Sequence, residues 1–257
     1  MVEQTIINGD CLKEMKSIGC ESIDTAICSP PYNIGIEYNQ YKDNINDKNY
    51  LDWISEVSAE IKRILKPNGS FFLNMGMGCI NPCLPMEVCS TIRNSLIVQN
   101  TIIWIKSISI NNDSFGQFKP INSERFLNQQ FEYIFHFTKT GKLKLDKLAI
   151  GVKYKHERNV HRWEHKYKRS KDNVRCRGNC WFMPYKTVIS KKEHPAGFPI
   201  ELPENCIKLH GIKEDTVVLD PFLGAGTTLL ACKKLGIKGI GIELDKEYCS
   251  IAKEKLG

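Results

Sequence analysis

No run of apolar residues in this 257-residue chain approaches the ~18 that a membrane-spanning helix needs. The opening Met1-Val2-Glu3-Gln4 lacks the basic stretch and apolar core of a secretory signal. Internal repeats are lacking as well, which argues against solenoids and propellers. Acidic residues are scarce in one place: between Lys142 and Lys192 there are four Asp/Glu against sixteen Lys/Arg. The remainder holds twenty basic against twenty-five acidic residues, so the net charge of +7 belongs to a single segment. A strongly basic insert on a mildly acidic body is the electrostatic footprint of a polyanion partner, and nucleic acid fits it better than a solvated surface face does. Cysteine is not scarce. There are eleven, an odd number, and Cys28, Cys89, Cys206, Cys232 and Cys249 sit in apolar patterns. Without a secretory signal they read as reduced, mostly buried thiols of a cytosolic protein.

Strand-like runs alternate with helical ones, the pattern of an α/β fold with a largely parallel sheet. Strands are expected at Thr5 to Asn8, Thr25 to Cys28, Ser70 to Met75, Ile97 to Ile105, Phe131 to Phe137, Val217 to Asp220 and Lys238 to Glu243. A helix opens at Asn49 or Tyr50, with Ile54, Val57, Ile61 and Leu65 at helical spacing, and Pro67-Asn68-Gly69 stops it. Further helices are expected over 86–95, 201–210, up to Lys234 and after Asp245, which caps the last one. Residues 33–49 and 106–125 read as loops, the first long enough to serve as a lid.

Two constellations carry the chemistry. Ser29-Pro30-Pro31-Tyr32 follows a strand; each proline fixes its own φ and pushes the preceding residue towards extended geometry. The result is a stiff turn with directed carbonyls, one hydroxyl and an aromatic ring, able to accept hydrogen bonds from an amino-bearing planar ring. A Pro-Pro surface turn or polyproline ligand is the plain alternative. The second is Asp220-Pro221-Phe222-Leu223-Gly224-Ala225-Gly226-Thr227-Thr228 between a strand and a helix, with Glu243 ending the next strand, 23 residues on. An acid at about that offset meets a ribose in dinucleotide folds. Leu229 stands where their third glycine belongs, so a nucleoside with a charged amino-acid tail fits better than NAD or FAD. Asp220 would take its ammonium, the Gly224–Gly226 loop would lie under it, and Glu243 would hold its ribose. Joined tail to head, 217–257 and 1–30 make one βαβαβαβ run, placing Asp10 over the cofactor's base and both constellations at one topological switch point.

In this order the chain resembles the β-group of exocyclic-amino DNA methyltransferases, the permuted S-adenosylmethionine-dependent enzymes of restriction–modification systems. The resemblance rests on Ser29-Pro30-Pro31-Tyr32, Leu65-Lys66-Pro67-Asn68-Gly69-Ser70, Phe131-Glu132-Tyr133, His194-Pro195 with Phe198-Pro199, and the Asp220-to-Thr228 run. It implies a Rossmann-like, circularly permuted methyltransferase fold, with a catalytic domain of 1–140 and 193–257 and a target-recognition insert at 141–192. It also implies cofactor contacts from Asp10, Cys11, Phe198, Pro199, Asp220, Pro221, Phe222, Gly224, Gly226, Thr227, Thr228, Glu243 and Leu244. The expected partners are double-stranded DNA and a cognate restriction endonuclease, with a homodimer left open. A serine in the first motif position goes in that family mostly with cytosine N4, and an aspartate with adenine N6.

The hypothesis for catalysis is that Ser29 and the Pro30 carbonyl accept both amino hydrogens and so free the nitrogen lone pair for attack on a sulfonium methyl. The base must be flipped out, with Tyr32 stacking on it and 33–49 closing over it. Arg125, Arg158, Arg162, Lys166, Lys168, Arg169, Arg175 and Arg177 are candidate phosphate or guanine contacts. His161, His165, Cys176 and Cys180 have ligand-like spacings but match no common zinc motif, so no metal is expected. Trp163, Trp181 and Phe182 read as packing for the insert. A non-catalytic DNA-binding relative, or a methyltransferase for RNA or small molecules, stays open.

Overall fold

Six consecutive residues, Ile23–Cys28, are all buried, the signature of a parallel strand covered on both faces. They form β2 in a computed structural model that describes residues 2–117, 120–155, 174–184 and 197–257. The other strands are β1 (Gln4–Asn8), β3 (Leu65–Met75), β4 (Ile97–Ile105), β5 (Ser107–Ile110), β6 (Asp113–Gly116), β7 (Phe131–Thr138), β8 (Val152–Lys153), β9 (Val174–Arg175), β10 (Cys180–Phe182), β11 (Val217–Asp220) and β12 (Lys238–Glu243). The described helices are α1 (Cys11–Met15), α2 (Asp47–Ile64), α3 (Leu84–Ile92), α4 (Glu201–His210), α5 (Thr227–Leu235) and α6 (Lys246–Leu256).

Across the main sheet the order is β1-β12-β11-β2-β3-β7-β4-β10. The first five strands are mutually parallel, β7 runs against both neighbours, and β10 lies parallel to β4. Strand β1 pairs in register with β12, from Gln4 with Gly239 to Asn8 with Glu243. Head and tail of the sequence are thus adjacent strands, as the permuted order requires. The chain passes β11, β12 and β1 outward in one direction, and β2 then returns to the other side of β11. That reversal is the switch point, outside whose strand ends ligands sit in such sheets.

One face carries α1, α2 and α3. Helix α2 presents Tyr50, Ile54, Val57, Ile61 and Ile64 to a core shared with Phe71, Leu73 and Leu219. The opposite face carries α4 and α5, through Leu202, Cys206, Ile207, Ala231 and Cys232 against Ile27, Phe72 and Val218. Among the described residues no helix is long and apolar enough to cross a membrane.

Several local expectations change. Helix α2 starts earlier, at Asp47, because the Asn46 side chain accepts from the Lys48 N–H as its cap. It ends at Ile64: Leu65 is already extended, and it opens β3 by pairing with Ile23. Lys66-Pro67-Asn68-Gly69 therefore does not separate helix from strand; it bulges out of β3 between the Ile23–Leu65 and Thr25–Ser70 pairs. Helix α3 covers 84–92 rather than 86–95. Residues 107–116, expected as loop, form the β5–β6 hairpin, with Asn111 at φ 56° in its turn. The basic segment contributes β10 to the sheet edge, where Trp181 is buried and the Trp104 indole donates to the Met183 carbonyl at 2.8 Å. All eleven cysteines are free, but only Cys11, Cys28, Cys206, Cys232 and Cys249 are buried. Cys79 and Cys89 are half-buried, and Cys20, Cys83, Cys176 and Cys180 are exposed, so six of the eleven thiols are not core residues.

Candidate active site

Strand β2 delivers Ser29-Pro30-Pro31-Tyr32 to the carboxyl end of the sheet. The Tyr50 hydroxyl, from the first turn of α2, donates to the Pro31 carbonyl at 2.6 Å and pins the turn to the helix. Ser29 is half-buried, and its Oγ lies 2.7 Å from the Tyr32 hydroxyl. That hydroxyl donates to Glu132 Oε2 at 2.9 Å and accepts from Asn74 Nδ2 at 2.6 Å. Asn74 Nδ2 also donates to Glu132 Oε2 at 2.6 Å, and Lys106 Nζ pairs with Glu132 Oε1 at 3.0 Å. Burial, and then the Glu132 charge, push the Tyr32 phenol well above its ordinary range.

Residues 33–46 fold over the turn around one carboxylate. Asp43 is buried and accepts from the N–H groups of Asn33, Ile34 and Ile36. Asn33, at φ 57°, bridges to Ile45 through both its amide oxygen and nitrogen. The lid expected from composition is therefore an ordered flap.

Beside the turn a cleft opens between the strand ends. It is lined by Gly9, Asp10 and Cys11 after β1, by Ser29 and Pro31, and by Tyr38 to Tyr41 and Trp53. Pro221 and Phe222 after β11, with Ile242 to Asp245 and Tyr248, complete it. Tyr41, Trp53 and Phe222 make an aromatic wall, with ring centroids 5.9 Å and 5.4 Å apart. Glu243 accepts from Gly224 N at 2.7 Å and Asp245 N at 2.8 Å, and burial raises its pKa. The Asp245 Oδ2 and the Tyr41 hydroxyl, on two residues that line the cleft, are buried and have no partner. Buried orphan polar atoms are costly, and a ligand that meets them removes the cost.

The structure brings Asp10, Cys11, Ser29, Pro31, Pro221, Phe222, Glu243 and Leu244 into one cleft. It gives other sequence candidates different positions. Asp220 is buried beneath the loop, accepting from Phe222 N and Thr228 Oγ1, and burial pushes its carboxyl up to about 7. Thr228 is thus engaged with Asp220. Gly226, at φ 87°, lets α5 meet α6, since a Cβ there would lie 2.8 Å from the Ala252 methyl. Pro30 is buried, and Phe198 packs with Ile200 on the far-face core; neither they nor Pro199, Gly224 and Thr227 line the cleft. Burial raises the Cys11 thiol to about 12, a packing cysteine rather than a nucleophile. Arg125 is exposed over the Phe126 ring, Arg175 is exposed, and Arg177 donates to the Ile150 carbonyl. Arg158, Arg162, Lys166, Lys168, Arg169, His161, His165, Trp163, His194 and Pro195 lie outside the described residues.

Tyr38, Tyr41, Trp53, Asp245 and Tyr248 line the cleft without having been singled out from the sequence. Only Asp245 carried a local signal there, as a cap; Tyr38 and Tyr41 sit in a stretch without periodicity, while Trp53 and Tyr248 lie on α2 and α6, off the apolar positions that marked those helices.

An open, mostly parallel sheet with its cleft at the switch point defines the class first, and solved structures share it. PvuII DNA methyltransferase (cytosine-N4-specific) aligns over 98% of this chain and 86% of that one, with TM-score 0.74 and 19% identity. A putative DNA modification methylase from Thermus thermophilus aligns over 99% and 95%, with TM-score 0.68 and 24% identity. The fold is that of the Rossmann-like DNA methyltransferases. The family model of the N6/N4 enzymes, described as DNA methylase, matches residues 23–254, and the chain belongs to this family. Among its relatives, the type II methyltransferase M.HpaI of Haemophilus parainfluenzae is 31% identical over 99% of this chain and 74% of its own length. The DNA adenine methyltransferase YhdJ of Escherichia coli is 28% identical over 98% and 82%.

Proposed function

We propose that this DNA methylase transfers the methyl group of S-adenosylmethionine to the exocyclic N4 amine of a cytosine flipped out of duplex DNA. The observation that carries the reading is that Ser29 lines the same cleft as Asp10 and Glu243. The cofactor fits what lines that cleft: an aromatic wall for a purine, and acids and two orphan polar atoms for a ribose and an ammonium. When bound it supplies an electrophilic sulfonium methyl. Glu243 and Asp10 are the candidates for its hydroxyls, and Asp245 Oδ2 for a donor. The Tyr41–Trp53–Phe222 wall excludes water. Ser29 Oγ and the Pro30 carbonyl would accept the two amino hydrogens and free the nitrogen lone pair, which takes the methyl as its bond to sulfur breaks. One amino proton then leaves to solvent, and the Pro31 carbonyl is taken by Tyr50. Tyr32 would stack on the base by its ring, its hydroxyl being held from behind.

The segment 141–192 serves in this reading as the target-recognition region, with 1–140 and 193–257 as the catalytic domain. Protection of host DNA beside a restriction enzyme is the cellular role, in the cytoplasm. Nucleoside mass spectrometry of DNA from cells expressing the protein tests the base: N4-methylcytosine is expected, and N6-methyladenine alone reverses the choice. Adenine is the second reading, because a relative named for adenine stands at nearly the same identity as M.HpaI. Cofactor binding without transfer to any DNA would mark a non-catalytic DNA binder.

A further inference from the structure

The hydrogen bonds around Tyr32 allow only one arrangement of protons. A phenol has a single proton to donate, an ionised carboxylate only accepts, and a hydroxyl donates once. Asn74 Nδ2 directs its two hydrogens at Tyr32 Oη and Glu132 Oε2, both at 2.6 Å. Turned over, the amide would set its oxygen against the carboxylate, so the Oδ1 stays buried without a partner instead. The Tyr32 proton goes to Glu132 Oε2 at 2.9 Å. The remaining 2.7 Å contact, to Ser29 Oγ, can then be filled only by the Ser29 proton. Ser29 therefore donates away from the cleft it lines and turns its lone pairs towards it.

Two further residues maintain this arrangement. Lys106, just beyond β4, holds the other oxygen of Glu132 in an ion pair whose side chains are 16% and 13% exposed. Gly76, just beyond β3, leaves the space: a Cβ there would lie 2.7 Å from the Tyr32 ring and 3.4 Å from Glu132 Cδ. We propose that Glu132 is a positioning residue which, through the Tyr32 hydroxyl, fixes Ser29 as a pure hydrogen-bond acceptor for the target amine. The inference rests on the reading of Ser29 as that acceptor.

The test follows from reversing the polarity. In Glu132→Gln the carboxamide can donate to Tyr32, already an acceptor from Asn74. The phenol proton then turns to Ser29, and the Ser29 proton turns into the cleft against the amine. Tyr32→Phe removes the hydroxyl and leaves Ser29 free to rotate. Single-turnover methyl transfer to a DNA that the wild-type protein modifies should fall about a hundredfold in E132Q, the scale of one misdirected transition-state hydrogen bond. In Y32F it should fall about tenfold or less. The double variant should recover to the Y32F rate, a reversal that a merely structural role for Glu132 would not produce. S-adenosylmethionine and DNA dissociation constants should stay within about threefold throughout, and Tm shows that each variant folds.

Wild-type protein without transfer, or Ser29→Ala at the wild-type rate, overturns the reading of the site and this inference with it. A slow S29A beside E132Q within about threefold of wild type overturns the role of Glu132 alone. So does Y32F as slow as E132Q, or a double variant no faster than E132Q.

Discussion

Gly76 shows how narrowly single atoms are placed around the Ser29–Tyr32 turn. Gly76→Ala puts a methyl into the space that Tyr32 and Glu132 share, and the Tyr32 ring cannot yield without loosening the hydroxyl held by Asn74. Overpacking of this kind costs about 1–3 kcal/mol, and both Tm and single-turnover rate should fall. A second residue-scale expectation concerns pH. His136 is buried between Asn100 and Ser70, and burial holds its pKa down to about 3. Unfolded, it titrates near 6.5, so between those values the unfolded state binds the extra proton. Its contribution is complete above about pH 6.5 and is lost as pH falls towards 3, at up to about 1.4 kcal/mol per unit. His210, also lowered by burial, acts in the same direction. Urea unfolding at pH 7 and pH 5 should show the loss, and His136→Gln should flatten it. Ser29, Asp10, Phe222 and Glu243 were readable in the sequence because each belongs to a short run whose residue types share one mechanism. Glu132 stood in the Phe131-Glu132-Tyr133 run with no mechanism attached to it, and Asn74 belonged to no such run. They reach Tyr32 from 100 and 42 positions away, and only strand pairing brings them there.

Among elements, the long periodic ones were legible and the short ones were not. Helix α2 follows its apolar stripe, but its ends are set by Asn46 and by the pairing of Leu65, which no periodicity records. The β5–β6 hairpin had a readable signal in Ser-Ile-Ser-Ile followed by Asn111-Asn112, too short to stand out. Strand β10 has three residues inside the basic segment, and its pairing with β4 together with the burial of Trp181 makes it a strand. Trp181→Ala removes that anchor together with its hydrogen bond to Gly178. Stability in denaturant should drop by about 3–5 kcal/mol. A loss below about 1 kcal/mol would mean that β10 is not part of the cooperative sheet.

For the whole molecule, charge and topology were both visible early, since segregation of charge and order of motifs survive without coordinates. The two functions they serve should be separable. Arg175→Glu should weaken binding to duplex DNA and leave the S-adenosylmethionine dissociation constant unchanged. If that side chain meets a phosphate, the slope of log K against log salt should shallow by about 0.9. An unchanged slope would place Arg175 off the duplex. The pairing of β1 with β12 has a consequence in time. The Ser29–Tyr32 turn is synthesised early, but the cleft floor closes only when Gly9 N–H meets the Glu243 carbonyl. About 200 residues separate the two events, roughly 10–40 s at ordinary rates of synthesis. During that interval a growing chain carries the Ser29–Tyr32 turn without the floor beneath it, so the cleft exists only once synthesis has passed Glu243.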